Sequence, residues 1–229
     1  MITSNIGKIF LDAYNEEYGT SYNARTFFLE QFYPLFFDQN KYMMTAGNSP
    51  LENPKLSWDD MIKRKKPFET PEQRKIRFEK LIKKIEESEA DASIARGYAS
   101  LDVAATTSGQ VTDLKLPNSQ EEIYASWIGD ALGIGVQGGF SILFSNKEIL
   151  LDIFEGWKLY RTSLNETTML KGNQINTWNG QWLSHYYDTR EYDADMPLAG
   201  YNPYNVNKDG IISIDTQTWT KILIGISKK

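Results

Sequence analysis

The chain has 229 residues, 41% hydrophobic and 24% charged, with a net charge of −5, the make-up of one ordinary globular domain and not of a disordered chain. It contains no cysteine. This excludes a disulfide framework, a zinc finger, an iron–sulfur cluster and a thiol nucleophile, and is compatible with a cytoplasmic protein.

In chain order, residues 4–38 read as helical. Ile6, Ile9, Phe10, Ala13 and Tyr14, then Phe27, Phe28, Phe32 and Phe36, recur at helical spacing, and Pro34 bends or ends the second part. Residues 45–58 are rich in Gly, Asn, Ser and Pro and are expected to be loop. A long helix is expected from Pro71 to Ala92, capped by Thr70 with Gln73 three places on, and Phe78, Leu81, Ile82 and Ile85 form its apolar stripe. Ser119 and Glu122 mark the start of a helix to Leu132. Residues 138–145 read as a short buried strand and 147–164 as a helix. The tail is expected to end in a pair of strands around GIISID and TWTKILIGI. The fold class is therefore α/β (α+β), with a central mixed β-sheet flanked by helices and a helical N-terminal lobe. The organisation is a single domain over 1–229, with the lobe over 1–62, a core over 71–145 and a C-terminal part over 146–229. No run approaches the roughly eighteen apolar residues of a membrane span, and the N-terminus lacks the pattern of a signal peptide.

Several classes of chemistry are closed. His185 is the single histidine, so no two-histidine metal motif exists, and the chain has no G-x-S-x-G elbow, phosphate loop or dinucleotide loop. NVNKDGIISID (205–215) is in step with a calcium loop at Asn205, Asn207, Asp209 and Gly210. Thr216 stands where such a loop needs Glu, so a simple turn is expected. What remains is carboxylate, lysine and a hard metal.

The stretch SLDVAATTSGQVTDLK (100–115) supplies those groups. Strand side chains alternate, so Asp113 and Lys115 share one face and Leu114 takes the other. A two-residue turn at Ser108-Gly109 pairs residues so that Asp102 lies opposite Lys115 and diagonal to Asp113. Two neighbouring carboxylates call for a neutralising charge, and Mg²⁺ supplies it through carboxylates, phosphate and water. The alternative is an Asp102–Lys115 cross-strand ion pair with Asp113 solvated.

Asp102 followed by Asp113-Leu114-Lys115 resembles the D…(D/E)-x-K signature of the PD-(D/E)xK nucleases, which include many type II restriction endonucleases. The order of a helix (71–92), hairpin, helix (119–132) and strand (138–145) is similar to that family's core. The resemblance implies Asp102 and Asp113 as ligands of Mg²⁺ and Lys115 as the catalytic lysine. It also implies Glu89 as an additional acidic residue. The activity implied is a Mg²⁺-dependent endonuclease of double-stranded DNA, a restriction enzyme working as a homodimer, because a twofold axis places one site on each strand.

Two further segments bear on a nucleic-acid partner. Ten basic residues lie between Lys63 and Lys84, Lys75 and Lys83 among them, and form either a solvated helix face or a phosphate-tracking patch. GNQINTWNGQWLSHYYDTR (172–190) offers Asn173, Gln174, Asn176, Asn179 and Gln181 as amides that can read adenine. The same segment also reads as a helix with Ile175, Trp178, Trp182 and Tyr186 inward. Two rival functions stand beside the nuclease. One is a non-catalytic nucleic-acid-binding or adaptor subunit of a defence system; the other is a carbohydrate-binding protein.

Overall fold

A computed structural model describes residues 1–52, 58–100, 111, 119–188 and 190–228. Helices dominate it. The N-terminal part holds α1 (Ile2–Tyr18), α2 (Ala24–Phe27), a π-helical turn (Phe28–Phe32) and α3 (Tyr33–Phe36). Gly19, at φ 62°, closes α1 in the left-handed conformation that glycine adopts without strain. Asn23 and Thr26 then form a reciprocal capping box that restarts the helix. Pro34 ends nothing at its own position. It follows the π-turn, where Tyr33 N donates to Phe28 O, five residues back.

The short α4 (Trp58–Ile62) lies at the end of the expected loop, and α5 (Pro71–Glu87) begins at Thr70 with the capping box that Gln73 completes. Helix α5 stops at Glu87, because Ser88 is extended and Asp91 nucleates a turn of its own. The Asp91 carboxylate accepts from Ser93 N, and its carbonyl from Ile94 N and Ala95 N. The remaining helices are α6 (Gln120–Ala131), α7 (Lys147–Glu166), α8 (Ile175–Tyr186) and α9 (Trp219–Ile226).

The expected central mixed β-sheet is not present among the described residues. Strand β1 (Ile134–Val136) pairs antiparallel with β2 (Phe140–Ile142), and β3 (Tyr204–Val206) with β4 (Ile212–Ile214), as two separate two-stranded sheets. The fold is therefore α+β with helices dominant. Gly138 and Gly139, at φ 93° and 78°, are the first residues of the strand expected at 138–145 and form instead the turn back from β1; the strand that follows is short and not buried, with Phe140 72% exposed. The terminal strand expected at TWTKILIGI is instead α9. Thr218 caps it by accepting from Lys221 N, and Ile222 and Gly225, three apart, face inward. Strand preference of Trp and Ile yields here to a cap and a buried helical stripe.

One hydrophobic cluster runs through all three expected parts of the chain, from Phe10 and Phe28 through Leu81 and Trp127 to Trp178 and Ile222. At its centre α1 and α6 touch backbone to backbone. A Cβ on Gly7 would lie 2.0 Å from Ala125 O, and one on Gly129 would lie 1.9 Å from Thr3 O. Among the described residues no helix is long and apolar enough to cross a membrane.

Candidate nucleic-acid interface

Asp102, Asp113 and Lys115 lie outside the described residues, as does the hairpin that would join them. Glu89 is exposed, two residues beyond the end of α5 and therefore not on a helical stripe. Among the described residues no group of three or more His, Asp or Glu is gathered in a way that could hold a metal ion.

The basic run between Lys63 and Lys84 separates into three parts. Arg74 and Arg77 turn inward. Arg74 donates to Asp38 Oδ1 at 3.0 Å and to Glu69 O at 2.7 Å, while Arg77 pairs with the Glu69 carboxylate and donates to Glu52 O. On the exposed face of α5, Lys75 stands 4.0 Å from Glu79 and Lys83 stands 3.9 Å from Glu87. Glu72 and Glu86 are exposed on the same helix, so positive and negative charges alternate there and the face carries little net field.

The third part is different. After α4 the chain turns through a Schellman motif, in which Lys65 N donates to Asp60 O at 2.7 Å and Arg64 N to Met61 O at 3.0 Å. The residue that must be left-handed in this motif is Arg64, at φ 58°. Glycine is the unstrained choice there, and a side chain costs about 1–2 kcal/mol. The turn presents Lys63, Arg64, Lys65 and Lys66 in succession, the last three exposed.

Folding brings a second set of cations to this turn. Lys63 Nζ reaches Asp209 Oδ2 at 2.9 Å, which joins the α4 turn to the β3–β4 turn and its neighbour Lys208. Lys171, tied to β4 by its N–H on Ile212 O, lies 3.8 Å from Asp59, and Lys66 lies 3.3 Å from Asp60. The carboxyl of Asp209 is held below its usual range, first by the hydrogen bond from Lys63 and also by the nearby charge of Lys65. Six cations (Lys63, Arg64, Lys65, Lys66, Lys171 and Lys208) thus meet three carboxylates (Asp59, Asp60 and Asp209) at one corner. The sequence separation of 208 from 63 hides this corner from any reading of charge runs. In the β3–β4 turn the Asn207 carboxamide accepts from Asp209 N and Ile211 N, so the segment with calcium-loop spacing is a self-capped turn whose aspartate faces a lysine.

The amides of 172–190 face into the protein. Asn176 donates to Asp130 O and Gly133 O, and the buried Asn179 donates to Ala131 O and Gly133 O. Gln174 accepts from Ile214 N, and Gln181 donates to Asp215 O and accepts from Gln217. Asn173 sits at φ 61°, and its amide fits between Met44 O, to which it donates, and Trp58 Nε1, from which it accepts. These groups clamp α8 to the loop after α6, to β4 and to the segment before α9. The inward stripe of Ile175, Trp178 and Trp182 is buried as its spacing predicts, with Tyr186 half-buried.

No family model matches this chain, and neither a curated protein nor a solved structure is significantly similar to it.

Proposed function

We propose that this protein binds the phosphate backbone of nucleic acid, double-stranded DNA in the first instance, through the basic corner formed by the α4 turn and the β3–β4 turn. The observation that carries this reading is Arg64. A long cation occupies the one backbone position of the turn where glycine would relieve strain, and strain retained at an exposed turn points to a role for the side chain. Its neighbours Lys63, Lys65 and Lys66, with Lys171 and Lys208 across the corner, extend the positive surface. Phosphate contacts of this kind position a duplex without reading its sequence, which is the work of a binding or adaptor subunit.

The test is fluorescence anisotropy of a labelled mixed-sequence duplex at stepped salt concentrations. Engagement of three or four phosphates gives a slope of about −3 in log K against log salt. Replacing Arg64 and Lys65 together by Glu should abolish most of that slope. A flat salt dependence, or a slope untouched by the replacement, would sink the reading.

A second reading is favoured by Asp102 and Asp113-Leu114-Lys115, whose residue types suit phosphodiester hydrolysis by a restriction-type endonuclease, with a homodimer cutting both strands. Asp102 and Asp113 are the hard oxygen donors that Mg²⁺ prefers, and the ion would supply Lewis acidity at the scissile phosphate. Lys115 would hold positive charge beside the attacked group. Incubation of duplex DNA with Mg²⁺ or with a chelator, beside an Asp113→Ala variant, separates the readings. Fragments that require Mg²⁺ and vanish in the variant establish the nuclease, whereas salt-dependent binding without fragments leaves the binding subunit.

A further inference from the structure

Three of the six cations at the basic corner face carboxylates of the protein itself. Lys63 faces Asp209 at 2.9 Å, Lys66 faces Asp60 at 3.3 Å and Lys171 faces Asp59 at 3.8 Å. We infer that the Asp209 carboxylate is an autoinhibitory latch, an internal competitor that occupies Lys63 until a backbone phosphate displaces it. The inference rests on the phosphate-binding reading of the corner and adds its regulation.

The alternative role for Asp209 is to hold the two turns together, and their hydrogen bonds argue against it. The β3–β4 turn closes without that carboxylate. Asn207 Oδ1 accepts from Asp209 N and Ile211 N, Gly210 N donates to Asn207 O, and Asn207 N donates to Ile211 O. The α4 turn closes through Lys63 N on Asp59 O, Arg64 N on Met61 O and Lys65 N on Asp60 O. Strand β4 is fixed separately, because Lys171 N donates to Ile212 O and Ile212 N donates to Met169 O. Among the described residues, Lys63 is the one hydrogen-bond or ion-pair partner of the Asp209 carboxylate.

The pair is built to open. Asp209 is its outer member, with a side chain 66% exposed against 23% for Lys63. Exposed ion pairs add little to stability, so the fold does not depend on this one. A phosphate oxygen offers the Lys63 ammonium the same charge-assisted hydrogen bond that the carboxylate does. The charge of Asp209 is felt at Lys65 as well, so it lowers the field of the corner beyond its own partner. Asp59 and Asp60 are less free to serve in this way. Both lie in the first turn of α4, where negative charge is favoured with or without a cation nearby.

The experiment is salt-stepped anisotropy of the labelled duplex with the full chain, its Asp209→Asn, Asp195→Asn and Lys63→Met variants, and Lys63→Met combined with Asp209→Asn. Asp209→Asn should tighten binding about threefold to tenfold at low salt and steepen the slope by up to about 0.9, the share of one phosphate contact. Its thermal unfolding midpoint should stay at the wild-type value, since both turns close on their own bonds. Asp195 is exposed and pairs with none of the six cations among the described residues. Asp195→Asn makes the same change in net charge and should alter affinity by less than about twofold. In the Lys63→Met background, Asp209→Asn should lose most of its gain, because the latch has nothing left to hold.

Wild-type binding that Asp209→Asn weakens or leaves unchanged overturns the latch alone. So does a gain no larger than that of Asp195→Asn, or one that persists in full without Lys63. Absence of salt-dependent binding in every one of these proteins overturns the corner and the latch together.

Discussion

The ammonium of Lys41 and the guanidinium of Arg161 are buried neighbours held by carbonyls instead of carboxylates. Lys41 Nζ donates to Leu164 O at 3.0 Å and Thr167 O at 2.7 Å, at the C-terminal end of α7. Arg161 donates through Nε and Nη2 to Leu35 O, near the end of α3, and through Nη1 to Lys41 O. Among the described residues neither forms an ion pair. Helix C-termini carry partial negative charge and unsatisfied carbonyls, so two cations can be accommodated there without an anion.

Burial, and then the charge of Arg161, lower the pKa of Lys41 from 10.5 to about 8. Between those values the unfolded chain holds a proton that the folded chain has released. Stability therefore rises with pH through this window, by on the order of 2–3 kcal/mol in all. Tyr33 and Tyr42, whose pKa values burial raises, act in the opposite direction only above pH 10. Urea unfolding from pH 7.5 to 9.5 should thus show a rising midpoint in the wild type and a flat one in Lys41→Met. A wild-type midpoint that is flat or falling over that range would refute the assignment.

The backbone contact of α1 with α6 predicts a severe effect from the smallest possible change. Gly7→Ala and Gly129→Ala each place a methyl about 2 Å from a carbonyl oxygen of the facing helix. Rigid backbone cannot move aside as a side chain would, so the helices must separate and the cluster around Phe28 and Trp127 must open. Each substitution should destabilise by about 3 kcal/mol or more. Gly19→Ala is a useful contrast. Nothing lies within 4 Å of its Cβ, so only the left-handed φ is disturbed and about 1 kcal/mol is expected.

Glu69 is the hub that turns two arginines of the basic run inward. Its carboxylate accepts from Arg77 and from Tyr42 Oη at 2.6 Å, and its carbonyl accepts from Arg74. Its side chain is only 10% exposed. Glu69→Ala leaves Arg77 Nε and the Tyr42 hydroxyl without their acceptor, with Arg77 Nη1 still on Glu52 O, and should destabilise by about 2–3 kcal/mol. Combining it with Arg77→Met should recover part of the loss. Additive losses would show that the pair is not coupled.

Much of the helical frame is legible in the sequence because its signals are local. Thr70 with Gln73, and Ser119 before the 120–131 helix, announce their caps, and Trp178 and Trp182 show their inward stripe by spacing alone. The misreadings arise where a non-local partner or a backbone conformation decides. Gly138-Gly139 makes a hairpin turn of the start of an expected buried strand, and the Thr218 cap with the inward Ile222 makes a helix of a strand-like tail. The amides of α8 look like base readers because their composition is all that sequence shows, whereas their carbonyl partners lie 34 to 48 residues away. The basic corner has no sequence signal beyond Lys63–Lys66, since Lys171 and Lys208 join it only through the packing of β4.

Arg64 yields the prediction that most sharply separates a functional role from a structural one. If Arg64 served only to close the turn after α4, Arg64→Gly would be neutral or favourable for both stability and binding. Glycine relieves the left-handed backbone at φ 58° and gives back part of that gain through the greater freedom of the unfolded chain, for a net stabilisation of about 0.5–1 kcal/mol. The phosphate-binding corner requires the opposite result for affinity. Removing one contacting cation should weaken duplex binding at low salt and reduce the magnitude of the slope by about 0.9. Arg64→Asn, which tolerates the same backbone conformation without the charge, should reproduce the binding defect. Denaturant midpoints and salt-stepped anisotropy on the same preparations decide the matter. A gain in stability with a loss of binding supports the corner, and a gain in stability with unchanged binding removes Arg64 from the interface.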